Sequence, residues 1–278
     1  MIEDRVIVDT SVMIDLIKTG HRSATIEALI RRFHTKTTTS IALLEYKATV
    51  MAVCIKIHAD LRRYKKFTYV RDVLQEKNYK QSKLRAHIFS NWVAISAPSL
   101  ALPGAHAAIT PQEDERLGEK ARLKLEMIIP YLYQRFQNVV DDIAISGINC
   151  TRAQEPPKLL TAAFDTNLPN CSRENKSCNV EAFIRNRLVP VVDRLRSLPD
   201  AMPDQIASAC EVVDQVAADA SIDVSHSQCR RCGDLLIALE GLEETPTPTH
   251  LMSTNEREWK YLAERLGVCF TEVNYGEF

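Results

Sequence analysis

The sequence predicts an α/β fold: a three-layer α/β/α sandwich around a central, mainly parallel sheet, carrying a large, mostly helical insertion. Three observations predict it. The chain opens on a short β-branched run, RVIVD at residues 5–9, which ends in a carboxylate as a buried strand of a parallel sheet does. Residues 229–278 return to that style, short apolar runs alternating with helical periodicity. Between the two ends, helical spacing dominates and no internal repeat is visible, so one α/β unit is expected whose chain leaves and returns.

The elements follow in order. After the first strand, Thr10 and Ser11 can cap a short helix that begins with Val12, Ile14, Leu16 and Ile17 and stops near Gly20. Ile26, Leu29, Ile30 and Phe33 give residues 23–33 the spacing of a second helix. KTTTS at 36–40 is polar but β-branched and fits a strand. Residues 41–53 form a third, very apolar helix with Glu45 in its first turns. From 56 to 87, ten lysines and arginines face only Asp60, Asp72 and Glu76, with Tyr64, Phe67, Tyr69 and Tyr79 interleaved. Residues 94–111, rich in Pro, Ala, Ser and Gly, read as a loop or linker. Helical periodicity resumes over 113–146, yields to irregular chain at 149–179, and returns at 179–197 and 203–219. Asp234 starts a further helix, 251–253 is a strand, 258–266 a helix closed by Gly267, and 268–273 a last strand. The organisation expected is a first part of the α/β domain at 1–55, an insertion at 56–228 and a second part at 229–278.

Composition narrows the function. The 278 residues suit one or two domains. A formal charge of -1 excludes a uniformly basic nucleic-acid coat, and 6% aromatics argue against an all-β module that reads bases by stacking. No window approaches a membrane-spanning length of uncharged apolar residues, so no membrane partner is expected. Two acids precede the first apolar run and no small-residue cleavage site follows, which does not describe a signal peptide; a cytoplasmic location is the expectation. The eight cysteines would then be reduced thiols or metal ligands.

Asp9 ends the first strand, Asp234 starts a helix, Asn255 follows the strand at 251–253, and Glu45 lies on an early helix. In an open α/β sheet these positions meet at the carboxyl ends of the strands, where ligands bind. Three carboxylates and an amide gathered in one cleft repel one another unless a cation neutralises them, and hard Mg²⁺ or Mn²⁺ suits oxygen donors. Ions held by shared carboxylates can activate water and stabilise the leaving oxygen of a phosphodiester. Ser11 could bond to Asp9 or to a metal-bound water, and Ser253 is the second hydroxyl expected in that supporting role.

The motifs resemble those of the PIN-domain nucleases. VIVDTSVMIDLI is similar to the family's first signature, a strand ending in Asp followed by Thr or Ser and an apolar helix. The family's second acid falls on Glu45, its third on Asp234 in CGDLLIALEGLE, and its last signature on STNEREW with Ser253, Asn255, Glu258 and Trp259. The resemblance implies a PIN-like fold and a divalent-metal-dependent ribonuclease, with Asp9, Glu45, Asp234 and Asn255 as Mg²⁺ or Mn²⁺ ligands, hydrolysing RNA by attack of water to leave a 5′-phosphate and a 3′-hydroxyl. It implies endonucleolytic action before exonucleolytic, toxin-like members with a protein antitoxin, and homo-oligomers. A nuclease acting on DNA or on a particular nucleic-acid structure is the alternative on the same scaffold, and a binding module with a degenerate site is another. The resemblance covers both ends of the chain only. Asn255 stands where many members have Asp, and 189 residues separate Glu45 from Asp234, far more than a compact member needs.

Two further groups stand apart from that motif set. Cys229 and Cys232 have the spacing of half a zinc site, and with two of Cys150, Cys171 and Cys178 they would complete a structural Zn²⁺ site; an iron–sulfur cluster and free thiols are the other readings. Arg62, Arg63, Lys65 and Lys66 in the basic segment are the expected substrate-binding residues, because phosphates supply most non-specific affinity and tyrosines among them can stack bases.

Overall fold

The computed structural model describes residues 3–16, 21–68, 109–144, 147, 148, 150, 178–197, 201–242, 248–273 and 275. The basic segment beyond residue 68, the linker to residue 108 and Cys171 lie outside the described residues.

In chain order the elements are β1 (Glu3–Val8), α1 (Thr10–Leu16), α2 (His21–Ile30), β2 (Phe33–Thr39) and α3 (Ser40–Tyr46). A wide π-helical turn, Lys47–Met51, then runs into α4 (Ala52–Tyr64). Next come α5 (Pro111–Val139), β3 (Asp142–Ala144), α6 (Val180–Phe183), a second π turn (Ile184–Leu188) and α7 (Val189–Arg196). The chain ends through α8 (Asp204–Ala218), α9 (His226–Arg231), α10 (Gly233–Leu242), β4 (Thr249–Ser253), α11 (Glu256–Leu266) and β5 (Cys269–Glu272).

The five strands form one sheet in the order β3-β2-β1-β4-β5, and every neighbouring pair is parallel. Ile7 sits opposite Thr37 of β2 on one side and Leu251 of β4 on the other. The strand order reverses beside β1, so a crevice opens between the ends of β1 and β4, where ligands of open α/β sheets bind.

Strand side chains alternate between faces, and that alternation splits the core in two. Val6, Val8 and Met252 join α1, α2, α4 and α5 in one cluster. Ile7 and Leu251 point the other way, into a second cluster with residues of α6, α7, α8, α10 and α11. Helices therefore cover both faces, and the described part of the predicted insertion contributes to each. Leu117, Ala121, Leu125 and Ile129 of α5 pack on the first face, while α6 to α8 pack on the second. Helix α10 lies close over β1. A Cβ on Gly241 would stand 2.5 Å from Ile7 Cδ1, so only glycine allows this helix to lie so near the strand.

Several sequence expectations need correction. The third helix does not end at residue 53. It continues through the π turn to Tyr64, crossing residues 55 and 56 without a break, and stops where Lys65 turns left-handed at φ 56°. The helical pattern at 113–146 stops at Val139, and β3 adds an edge strand too short to show a period-two signature. Backbone N–H of Asp141 donates to Lys36 O at 2.7 Å, and Lys36 N–H returns a bond to Asp141 Oδ2 at 2.7 Å, which docks β3 beside β2. The approach to Asp234 is α9, started by a capping box in which Ser225 and Gln228 satisfy each other's backbone donors. Among the described residues, no helix is long and apolar enough to cross a membrane.

Candidate functional site: a carboxylate pocket at the strand crossover

Asp9 is the first residue after β1, and its N–H donates to Met252 O at 3.0 Å, so the sheet itself places it beside β4. Burial is nearly complete, at 5% exposure. Its Oδ2 accepts from Ser11 Oγ at 2.7 Å, Ser253 Oγ at 2.9 Å and Ser11 N at 3.3 Å. The two serine hydroxyls are 3.0 Å apart and also accept from the backbone, Ser11 from Thr254 N–H and Ser253 from Asn255 N–H, each at 3.0 Å. Hydroxyls just past β1 and at the end of β4 thus hold Asp9 from both ends of the chain.

Glu45 reaches the same place from α3, whose N-terminus is capped by Thr39. Its Oε2 accepts from Thr10 Oγ1 at 2.8 Å. Its Oε1 lies 2.5 Å from where a Cβ on Gly233 would stand, so the glycine at the start of α10 makes room for the carboxylate. Asp234, the next residue of α10, accepts from Gln205 Nε2 at 2.7 Å. Asn255 precedes α11, but its side chain makes no capping bond. Asp9, Ser11, Glu45, Asp234 and Asn255 all line one pocket of about 380 Å³, and Ser253 stands buried behind Asp9.

The electrostatics follow from that crowding. Burial raises the Asp9 carboxyl above its ordinary range, and the serine hydrogen bonds partly offset it. Glu45 is raised to about 7, first by burial and then by the charge of Asp9, with Thr10 and the Arg230 cation opposing. Asp234 is raised to about 8 by burial, then by Asp9, Glu45 and Glu258, with the Gln205 bond opposing. Such a cluster at neutral pH favours either retained protons or a bound cation. Each of the three carboxylates has a hydroxyl or amide partner, and among the described residues no group of three or more His, Cys, Asp or Glu side chains is arranged to hold a metal ion.

The other predicted site residues are elsewhere. Arg62, Arg63, Lys65 and Lys66 are exposed around the C-terminal end of α4. The last residue of this continuous helical run to line the pocket is Thr49, in the π turn, so the basic residues lie about 20 Å further along the helical path at 1.5 Å per residue. The cysteines do not assemble among the described residues. Cys150 and Cys232 are buried in the second core, Cys178 and Cys229 are half-buried at its edge, and Cys171 lies outside the described residues. Burial, and then the neighbouring Cys210, push the Cys232 thiol up to about 12, which holds it protonated as a small core residue.

Sequence reasoning placed none of Gln205, His226 and Arg230 in this pocket, although His226 beside the CxxC reads in the sequence as a spare zinc ligand; all three line it. The one available signal was proximity in sequence, Arg230 standing four residues before Asp234. Comparison of the chain with protein-family models, with curated proteins and with solved structures finds no match in any of the three.

Proposed function

We propose that the protein is a divalent-metal-dependent nuclease of the PIN type that hydrolyses RNA phosphodiester bonds. The observation that carries this reading is the convergence of Asp9, Glu45 and Asp234, with Asn255, in one pocket at the crossover of a parallel sheet. The strand order and the placement of acids after β1, on α3 and at the head of α10 agree with the motif resemblance at both ends of the chain.

The donor chemistry fits Mg²⁺ or Mn²⁺, being carboxylate and amide oxygen throughout, and the mutual repulsion within the cluster is what a cation relieves. Among the described residues the three acids are not set around an ion in the protein alone, so binding would have to draw Asp9, Glu45 and Asp234 together, with Asn255 beside them. Bound there, a divalent cation supplies the positive charge that phosphodiester hydrolysis requires in its transition state. The chain's own contribution is orientation. Ser11 and Ser253 fix the Asp9 carboxylate, Thr10 turns Glu45 inward and Gln205 steadies Asp234. The arrangement costs stability in the protein alone and is therefore expected of a site kept for chemistry.

The test is cleavage of a labelled single-stranded RNA by purified protein with Mg²⁺, with Mn²⁺ and in EDTA, alongside Asp9→Asn. Metal-dependent cleavage that the substitution abolishes, with the fold intact by circular dichroism, supports the reading. Cleavage that persists in EDTA, or in the variant, overturns it.

A further inference from the structure

The carboxylate pocket does not end at Arg230. A second groove of about 420 Å³ continues from it between the start of α8 and α9, lined by Gln205, Ser208, His226, Ser227, Arg230 and Arg231. Gln205, His226 and Arg230 line both volumes, so the two are one continuous surface. Its chemistry inverts along its length, from carboxylates at one end to guanidinium, hydroxyl, imidazole and amide groups at the other. Among the described residues neither Arg230 nor Arg231 makes an ion pair or side-chain hydrogen bond, and both are exposed. Other arginines of the protein are committed: Arg196 holds Asp214, Arg122 holds Glu119 and Glu126, and Arg185 binds three backbone carbonyls at the end of α8. Arg230 acts electrostatically on Glu45 while facing the groove as well.

We propose that this groove binds the phosphodiester backbone of single-stranded RNA next to the bond presented to the carboxylates, with Arg230 at the junction and Arg231 one contact further out. The inference rests on the nuclease reading for its direction and on the groove for its residues. Acidic pockets repel a polyanion, so a strand can approach only where adjacent cations compensate, and these two arginines are placed to do so. Each volume matches a small ligand rather than a broad interface, which suits an unpaired strand threading past helix side chains and excludes a duplex from the recessed carboxylates. The wall that carries the groove belongs to α8 and α9, not to the basic end of α4.

The experiment compares the full chain with Arg230→Gln/Arg231→Gln and with the charge-retaining Arg230→Lys/Arg231→Lys, using a fluorescent single-stranded RNA and a DNA of the same sequence. Affinity is measured in EDTA over a range of salt, and kcat and KM with Mg²⁺ or Mn²⁺. The Gln pair is expected to weaken RNA binding about tenfold or more, to flatten the dependence of log Kd on log salt by about 1.4 for two lost contacts to a single strand, and to raise KM more than it lowers kcat. The Lys pair should restore the salt slope. DNA bound as tightly identifies the shared backbone as the ligand, and RNA bound tighter adds a contact to the 2′-hydroxyl. Unchanged affinity and salt slope in the Gln pair overturn the groove, even where the wild-type protein cleaves RNA. Arginine-dependent binding by a protein that never cleaves would keep the groove and overturn the nuclease reading.

Discussion

Asp234→Asn converts a strongly raised site carboxyl into a neutral isostere that can still accept from Gln205. In the folded protein Asp234 is raised from an ordinary 3.8 to about 8. The native state therefore holds a proton that the unfolded chain has released, and stability declines as pH rises between those two values. Glu45, raised from 4.5 to about 7, adds a decline in the same direction over a narrower window. At about 1.4 kcal/mol per unit, the Asp234 shift sets a ceiling of roughly 6 kcal/mol. The side chain is only half-buried, so water screens much of that, and about 2 kcal/mol is the figure to expect. The assay is urea unfolding followed by circular dichroism, in EDTA, at pH 5 and pH 8. The gain of Asp234→Asn over wild type should be about 2 kcal/mol larger at pH 8 than at pH 5, because the substitution removes a charge that only the higher pH creates. Added Mg²⁺ or Mn²⁺ should stabilise the wild type at pH 8 more than the variant, since ligand binding to the native state adds to stability. Parallel pH profiles for the two proteins would refute the argument that this carboxyl is held against its ordinary ionisation.

Two further substitutions separate site geometry from fold. Gly233→Ala puts a Cβ where Glu45 Oε1 now lies, and displacing that carboxylate by about 1 Å should cost on the order of 10²-fold in cleavage rate while the melting temperature changes little; wild-type cleavage rates in the variant would remove Glu45 from the site. Gly241→Ala meets Ile7 Cδ1 at 2.5 Å in the packed core, and chemical denaturation should show a loss of about 1–3 kcal/mol from overpacking; a variant as stable as wild type would show that α10 can lift from β1 without penalty.

The parts of the site that were legible in the sequence share a physical cause. Asp9 and Asp234 sit where a period changes, from strand to helix or from loop to helix, and Glu45 is an acid on an apolar helix; such breaks of pattern show in one dimension. Ser11 and Ser253 were legible for the same reason, as hydroxyls immediately after or at the end of strands. Gln205, His226 and Arg230 were not, because a polar residue on an exposed helix face looks alike whether it meets water or a pocket. Tertiary packing alone decides that α8 and α9 form the wall. A CxxC spacing is visible in sequence, while the burial of Cys232 among apolar side chains is not. Nor does the sequence reveal that the helix runs on past residue 53, which sets Arg62, Arg63, Lys65 and Lys66 further along it than the pocket lining.

The serine pair on Asp9 also has a consequence in time. Ser11 and Ser253 are separated by 242 positions, yet both must be present before the Asp9 carboxylate is held in place. During synthesis β1, α1 and α3 emerge early and can gather Asp9, Thr10 and Glu45, but β1 has no neighbour on its other edge until β4 is made. A chain stalled anywhere before residue 249 lacks that strand, and a chain stalled between α10 and β4 carries all three acids with only Ser11 to hold the first. The pocket is therefore assembled in its described form only once β4 has been made and has closed the sheet beside β1.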